Sequence, residues 1–442
     1  MTIFLGIILS IFGIGIMQLI LATAMPFIVT EIGGEYLYGW VFSSYMLASL
    51  LTIPIFSKLA DLYGKKKFYL LGMSLFAVGT LYGALAPNME NLIVARVIQG
   101  LGAGMMTPVS IALISELFPP EKRGRMIGAF SFVQLIANLI SPILGSFITK
   151  QMGWHWIFYI TFLLVLVAIV LIIMDRKPAP AAPAQSLRWT EIDLLGGLLF
   201  GVFCVLVVSF SNSISNLGRL EMTGLSLLAG VLTAGLTLFW NETRHHDPII
   251  KLAFFQNKVL RQSILSSLVA GSIMYGLVTL LPLCSVIFNR NGFTSDESQL
   301  LMIFMIGTTL GVIITSRFTN HLDARFPKIV WGLSVLGAAG MYYAVSASQF
   351  VLFNILTGLL GLSLGAIMAT MLINSQNAVS SEDRTVLSGL VQLGRYLGAS
   401  VGVTVLTGIL PEISQISHPS QFLGAFGLLI GIYLTGVMNE FF

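Results

Sequence analysis

The chain has 442 residues, 56% of them hydrophobic and only 10% charged, with a net charge of +4. Soluble domains carry about 25% charged residues, and a water-soluble core could not hide this much apolar surface, so the solvent has to be lipid. That excludes a soluble enzyme or a nucleic-acid-binding domain: the 23 basic residues fall in short loops between apolar runs, a topogenic distribution rather than a binding stripe. In lipid every backbone donor and acceptor must be satisfied internally, and apolar runs of roughly 20 residues select helices over a barrel of shorter alternating strands.

Apolar runs predict spans near 3–29, 38–57, 68–87, 92–117, 125–149 and 156–174. Two more are expected near 193–212 and 222–240, and six near 262–288, 298–318, 328–347, 350–372, 385–410 and 420–438. No Lys or Arg precedes Lys58, so the first run reads as a span and not as a cleavable signal. The segment 175–192 is Pro/Ala-rich and polar, a connector. With both termini cytoplasmic, 18 of the 23 basic residues fall on that side, and only Lys150, Arg219 and Arg290 fall outside. This asymmetry predicts an even count of fourteen spans.

Motifs follow in chain order. Ser57-Lys58-Leu59-Ala60-Asp61-Leu62-Tyr63-Gly64-Lys65-Lys66-Lys67 joins the second and third spans, ending a helix on a carboxylate beside a turn glycine. Arg96 lies inside the fourth span, where it either meets an internal partner or snorkels to the outer surface. Gly100 and Gly104 beyond it permit close helix contact. Ser141-Pro142-Ile143-Leu144-Gly145 puts a helix-bending proline among small residues, and Trp154-His155-Trp156 anchors the interface before the sixth span, with His155 read as interfacial. His245-His246-Asp247 is expected to be a solvated loop, and Pro248 to Lys258 an amphipathic lead-in lying on the membrane surface. Cys204 and Cys284 fall in apolar runs and read as free buried thiols; no metal site is expected. Gly394, Gly398 and Gly402 form a packing stripe around Arg395, which sits roughly 15 Å into its helix.

The chain also repeats itself. PPEKRGRMIG (119–128) aligns with SSEDRTVLSG (380–389), Gly100 with Gly358, and the loop 57–67 with a degenerate copy at 316–326, all at offsets of 258 to 261. Two parallel halves of six helices are implied, with 193–240 inserted between them.

On these residues the chain resembles the major facilitator superfamily, and within it the fourteen-helix drug:proton antiporter branch. The 57–67 loop looks like the signature G-x-L-A-D-x-x-G-[RK]-[RK], with Ser57 in place of its first glycine. Arg96 to Gly104 resembles the fourth-helix motif, Ser141 to Gly145 the antiporter signature G-P-x-x-G-G with Ser141 and Ser146 replacing glycines, and Trp154 to Ile160 the start of the sixth helix. Gln376 to Val379 and Gly394 to Gly398 also look like this branch.

The resemblance implies an all-α membrane protein of two pseudo-symmetric six-helix bundles, 1–175 and 262–442, with a cytoplasmic linker and two extra transmembrane helices in 176–261. It implies alternating access in a cell membrane, export of amphipathic or lipophilic small molecules, a monomer, and the proton as coupling ion. Gating is expected of Asp61, Gly64, Lys65, Arg96, Pro142 and Gly145, and polar substrate contacts of Gln18, Thr23, Gln99, Gln134, Asn138, Tyr275, Asn354 and Arg395. No cofactor is expected. No span holds a nucleophile with a base, so an enzyme is not expected either.

One departure cuts against proton coupling. The branch reads L-D-x-T-I-V-x-x-A-M-P in its first helix; Ala24-Met25-Pro26 fits the end, but the aspartate position is Met17. None of the 19 acids falls in the middle of a span. Two intramembrane arginines without deep carboxylates keep a second reading open, transport of an anionic or zwitterionic metabolite, lipid or siderophore. A third is a transporter-like sensor that moves nothing.

Overall fold

A computed structural model describes all residues except 1, 176–193, 218–221, 245–251, 291–298, 319–324, 380–383, 411–417 and 442. The connector beyond Asp175 and the His245-His246-Asp247 segment lie outside the described residues. The expected lead-in before the ninth span is, from Leu252 to Gln256, a short 3-10 helix.

Fourteen α-helices follow one another, and among the described residues there is no strand. They are α1 (Thr2–Ile32), α2 (Tyr38–Tyr63), α3 (Lys65–Ala84), α4 (Met89–Leu117), α5 (Pro120–Met152), α6 (His155–Met174) and α7 (Leu194–Leu217). The rest are α8 (Met222–Arg244), α9 (Lys258–Arg290), α10 (Gln299–Phe318), α11 (Phe326–Ser346), α12 (Phe350–Asn377), α13 (Arg384–Gly408) and α14 (Leu423–Asn439). Each expected apolar run has its helix. Several helices outlast their runs: α5 begins at Pro120, five residues before the expected start, because the helical ladder continues through Glu121 and Lys122, and proline at the first helical position sacrifices no bond.

Eleven of these helices are long and apolar enough to cross a membrane. The exceptions are α3, α7 and α13. The triple lysine and small polar residues dilute α3, and the apolar part of α7 is the shorter Leu195–Phe210. In α13, Arg384, Arg395 and a run of Gly, Ser and Thr have the same effect.

Local signals set the helix ends. Asn88 caps α4 by accepting the Asn91 backbone N–H at 2.9 Å. Gly64, with φ 103°, is both the stop of α2 and the start of α3. Space does not demand glycine here, since a Cβ would meet nothing within 4 Å; the left-handed backbone does.

The chain divides into two compact units, one of residues 1–205 with 232–249 and the other of residues 206–231 with 250–442. In the first unit α1 packs on α5 and α6, α2 on α4, and α3 on α4 and α6. In the second, α9 packs on α13 and α14, α10 on α12, and α11 on α12 and α14. Each pairing thus recurs eight helices later, the structural counterpart of the repeat in the sequence.

Glycines set the closest seams. A Cβ on Gly100 would lie 2.4 Å from the Tyr45 carbonyl, and one on Gly104 2.3 Å from that of Ser49, so α4 and α2 touch backbone to backbone. Ser49 Oγ donates to the Gly100 carbonyl across this seam at 3.0 Å. In the second unit Gly398 does the same for α13 against α9, where a Cβ would fall 1.8 Å from the Leu268 carbonyl.

Candidate functional site

Arg96 on α4 is 1% exposed, so it does not snorkel. Its Nε donates to the Val41 carbonyl of α2 at 3.1 Å and its Nη1 to Gln99 Oε1 at 2.8 Å. Gln99 Nε2 then donates to Thr80 Oγ1 of α3 at 2.9 Å, and Thr80 passes its own proton to the Phe76 carbonyl at 2.6 Å. The Tyr45 ring covers the guanidinium at 4.1 Å. The result is a chain of donors tying three helices together, in which both Gln99 amide groups are used. Gln99 was expected as a substrate contact, and here it serves as the partner of Arg96; Val41, Tyr45 and Thr80 come from other helices, and no sequence signal marks them.

Four further expected residues lie along α1 and α5. Gln18 is buried on α1. Gln134 and Asn138 of α5 face Gly15 of α1, and Asn138 Oδ1 is buried without a hydrogen-bond partner. Thr23 is buried too, its hydroxyl donating to the Ile20 carbonyl at 2.9 Å and packed against Gly145, where a Cβ would fall 2.2 Å from Thr23 Oγ1. Pro142 lies beside this contact and is buried. Having no N–H, it leaves the Asn138 carbonyl without its helical bond, which loosens the ladder where the polar pair sits. Met17, at the position where the resembled branch carries an aspartate, is fully buried.

At the Gly64 turn, the Asp61 side chain lies outside the described residues. Lys65 pairs with Glu116 at the end of α4, both partly exposed. Lys66 Nζ donates to the Asp175 carbonyl beyond α6, and Thr2 Oγ1 of α1 donates to Asp175 Oδ2 at 2.8 Å. Glu116 was not among the expected gating residues; its only signal was an acid at a helix end opposite a basic loop. At the other end of the unit, Trp154 Nε1 donates to Glu31 Oε2 at 2.9 Å, and His155 stacks on Trp154 at 3.7 Å.

In the second unit the three expected residues do not converge. Arg395 lines a cavity of about 90 Å³ between α9, α12 and α13, and neither Tyr275 nor Asn354 lines it. Tyr275 is buried on α9. Asn354 lies near the start of α12, four turns from the cavity's Met368, and its Oδ1 is buried without a hydrogen-bond partner. Arg395 donates through Nη2 to Gln392 Oε1, while its Nε is buried with no acceptor. Cys204 and Cys284 are free and buried.

A family model described as Major Facilitator Superfamily matches residues 3–403. Multidrug resistance protein 3 of Bacillus subtilis (strain 168) is 27% identical over 414 residues, which cover 92% of this chain and 79% of that protein. Multidrug resistance protein Stp of Mycobacterium tuberculosis (strain CDC 1551 / Oshkosh) is 29% identical over 411 residues, covering 91% of this chain and 74% of Stp. Among solved structures, a D-xylose-proton symporter superposes with a TM-score of 0.71 at 13% identity, over 100% of this chain and 96% of that one. A bacterial homologue of the lysosomal transporter Spinster, captured inward-facing and occupied, gives 0.68 at 14% identity, over 100% and 95% of the two chains. These structures speak for the fold alone.

Proposed function

This chain belongs to the Major Facilitator Superfamily, and from that premise we propose that it exports amphipathic small molecules by alternating access. The observation that carries the proposal is the likeness, over nine-tenths of the chain, to proteins named for multidrug resistance. In this reading the chain crosses a cell membrane fourteen times as a monomer, with both termini cytoplasmic, and α3, α7 and α13 cross despite their diluted hydropathy. The loop charge asymmetry supports that topology. Labelling of a cysteine placed near residue 183 from outside the cell would overturn it.

Within the mechanism, Gln18, Gln134, Asn138, Tyr275, Asn354 and Arg395 are the proposed polar contacts for substrate. Asn138 and Asn354 support this best, each holding a buried acceptor in reserve. Thr23 and Gln99 act through packing in this reading, because their polar groups are already used. Asp61, Gly64, Lys65 and Glu116 form the proposed cytoplasmic gate, with Arg96, Pro142 and Gly145 holding the helices that move. Proton coupling through α1 is not part of the proposal, since Met17 cannot titrate.

Counterflow tests the proposal. Proteoliposomes preloaded with chloramphenicol, a neutral amphiphile, should accumulate the radiolabelled compound transiently from outside, and liposomes lacking protein should not. Thermal stabilisation by chloramphenicol and chemically varied amphiphiles without any counterflow would instead mark a ligand sensor.

A further inference from the structure

The cavity at Arg395 holds a formal charge and, among the described residues, no countercharge. Its walls come from three helices of one unit: Ser267 of α9, Met368, Met371 and Leu372 of α12, and Gln392 and Arg395 of α13. None of its described lining residues is acidic. Ser267 spends its proton on the Val391 carbonyl at 2.7 Å, so it offers lone pairs rather than a counter-anion. A guanidinium has five N–H donors. The Nη2 group meets Gln392, and Nε is enclosed without an acceptor. Gln392, accepting at Oε1, keeps its own amide N–H groups as further donors.

Arg96 is held differently. A buried arginine can be satisfied by carbonyl and amide oxygens alone, as α2 and α4 demonstrate. At Arg395 the surrounding helices supply one such acceptor and then stop. The seam beneath it is rigid: a Cβ on Gly271 of α9 would fall 2.1 Å from the Arg395 carbonyl, so the arginine's backbone is held against α9. The backbone that carries the donors is thus held in place, one donor is tied to Gln392, and the methionines opposite present a soft apolar wall that adapts to varied shapes.

We propose that this cavity is an anion subsite, in which Arg395 and Gln392 bind the carboxylate of a lipophilic acid while Met368, Met371 and Leu372 hold its apolar part. The cavity, about 90 Å³ and partly open, seats the carboxylate end of such an acid, whose apolar remainder lies along the methionines that line it. A cationic group would face a like charge there, and a neutral amide would satisfy Arg395 less well than a carboxylate. The assignment rests on the transport reading above and adds to it the charge class of the preferred substrate.

The test uses probes of one shape and different charge. Binding of 1-naphthylacetate and of its neutral analogue 1-naphthylacetamide is measured on the purified full chain in nanodiscs of zwitterionic lipid. Wild type should bind the acid at least ten-fold tighter than the amide. The ratio should fall to about one in Arg395→Gln and be partly retained in Arg395→Lys, which keeps the charge but loses the planar fork. Met371→Glu leaves Arg395 in place and supplies an internal carboxylate, so it should abolish the preference even if Arg395 variants fold poorly. Equal binding of the two probes by wild type, no binding of either, or a preference that survives Arg395→Gln would each overturn the proposal. So would loss of acid binding on adding phosphatidylglycerol, which would assign the cavity to a lipid headgroup. If chloramphenicol counterflow persists in any of those cases, the anion subsite falls and the transport reading stands.

Discussion

Arg96 of α4 and Arg395 of α13 both lie well inside their helices, and they differ in how far the fold satisfies them. Arg96 sits among acceptors from two helices and an aromatic ring, and its nearest glutamine is anchored in turn to a third helix. Arg395 has one glutamine of its own helix and a cavity. The difference teaches that an arginine within a span is not in itself a substrate site. What distinguishes the two is the remaining donor capacity, which no hydropathy profile contains.

Stability should separate them most widely. Arg96→Met removes the centre of a three-helix network and strands the Gln99 acceptor, so it should cost about 2–4 kcal/mol, read as a large fall in Tm. Arg395→Met removes a half-buried side chain with one bond to its own helix and a buried Nε that has no acceptor, and should change stability by less than about 1 kcal/mol in either direction. Equal losses at the two sites would erase the distinction. A smaller effect is expected at the α2–α3 turn. In a double-mutant cycle Lys65→Gln and Glu116→Gln should couple by about 1 kcal/mol or less, as partly exposed pairs do, while each slows transport. Asp61→Asn should leave Tm nearly unchanged and also slow transport; wild-type rates in that variant would reduce the loop to a topological signal.

The smallest effect concerns the end of α14. Glu440 is buried there, and burial raises its carboxyl above the usual 4.5, against the opposing pull of the Ser266 hydroxyl and Lys328. A raised carboxyl favours the protonated fold, so its contribution is fully present below the ordinary value and is lost as pH rises through the raised one. Glu440→Gln should therefore raise Tm at neutral pH and flatten its dependence on pH just above 4.5. An unchanged pH profile would remove Glu440 from the stability account.

Much of the fold was legible because lipid imposes a simple rule on composition. Each apolar run became a helix, and the repeated motifs near residues 100 and 358 foretold pairings that recur eight helices later. The helix ends were less legible, as at Pro120, because backbone bonding continues where hydropathy has already fallen. At the candidate site, the sequence marked Arg96, Gln99 and Arg395 as polar residues within spans, but not that Gln99 would pair with Arg96 or Gln392 with Arg395. It could not find Val41, Thr80 or Glu116, which are brought in by tertiary packing from 19 to 55 residues away. Nor could it tell that Thr23 would be closed against Gly145 while Asn138 kept an acceptor free.

We propose that this transporter moves neutral and anionic amphiphiles, having Met17 and not an acid at the middle of its first helix to exchange a proton for a cation. Efflux from proteoliposomes under an imposed pH gradient tests it most directly, comparing the monocation ethidium with 1-naphthylacetate in wild type and Met17→Asp. The account predicts poor ethidium efflux by wild type that the gradient scarcely drives, clear movement of the acid, and a gain of gradient-driven ethidium efflux in Met17→Asp. Strong proton-driven ethidium efflux by the wild type would contradict it.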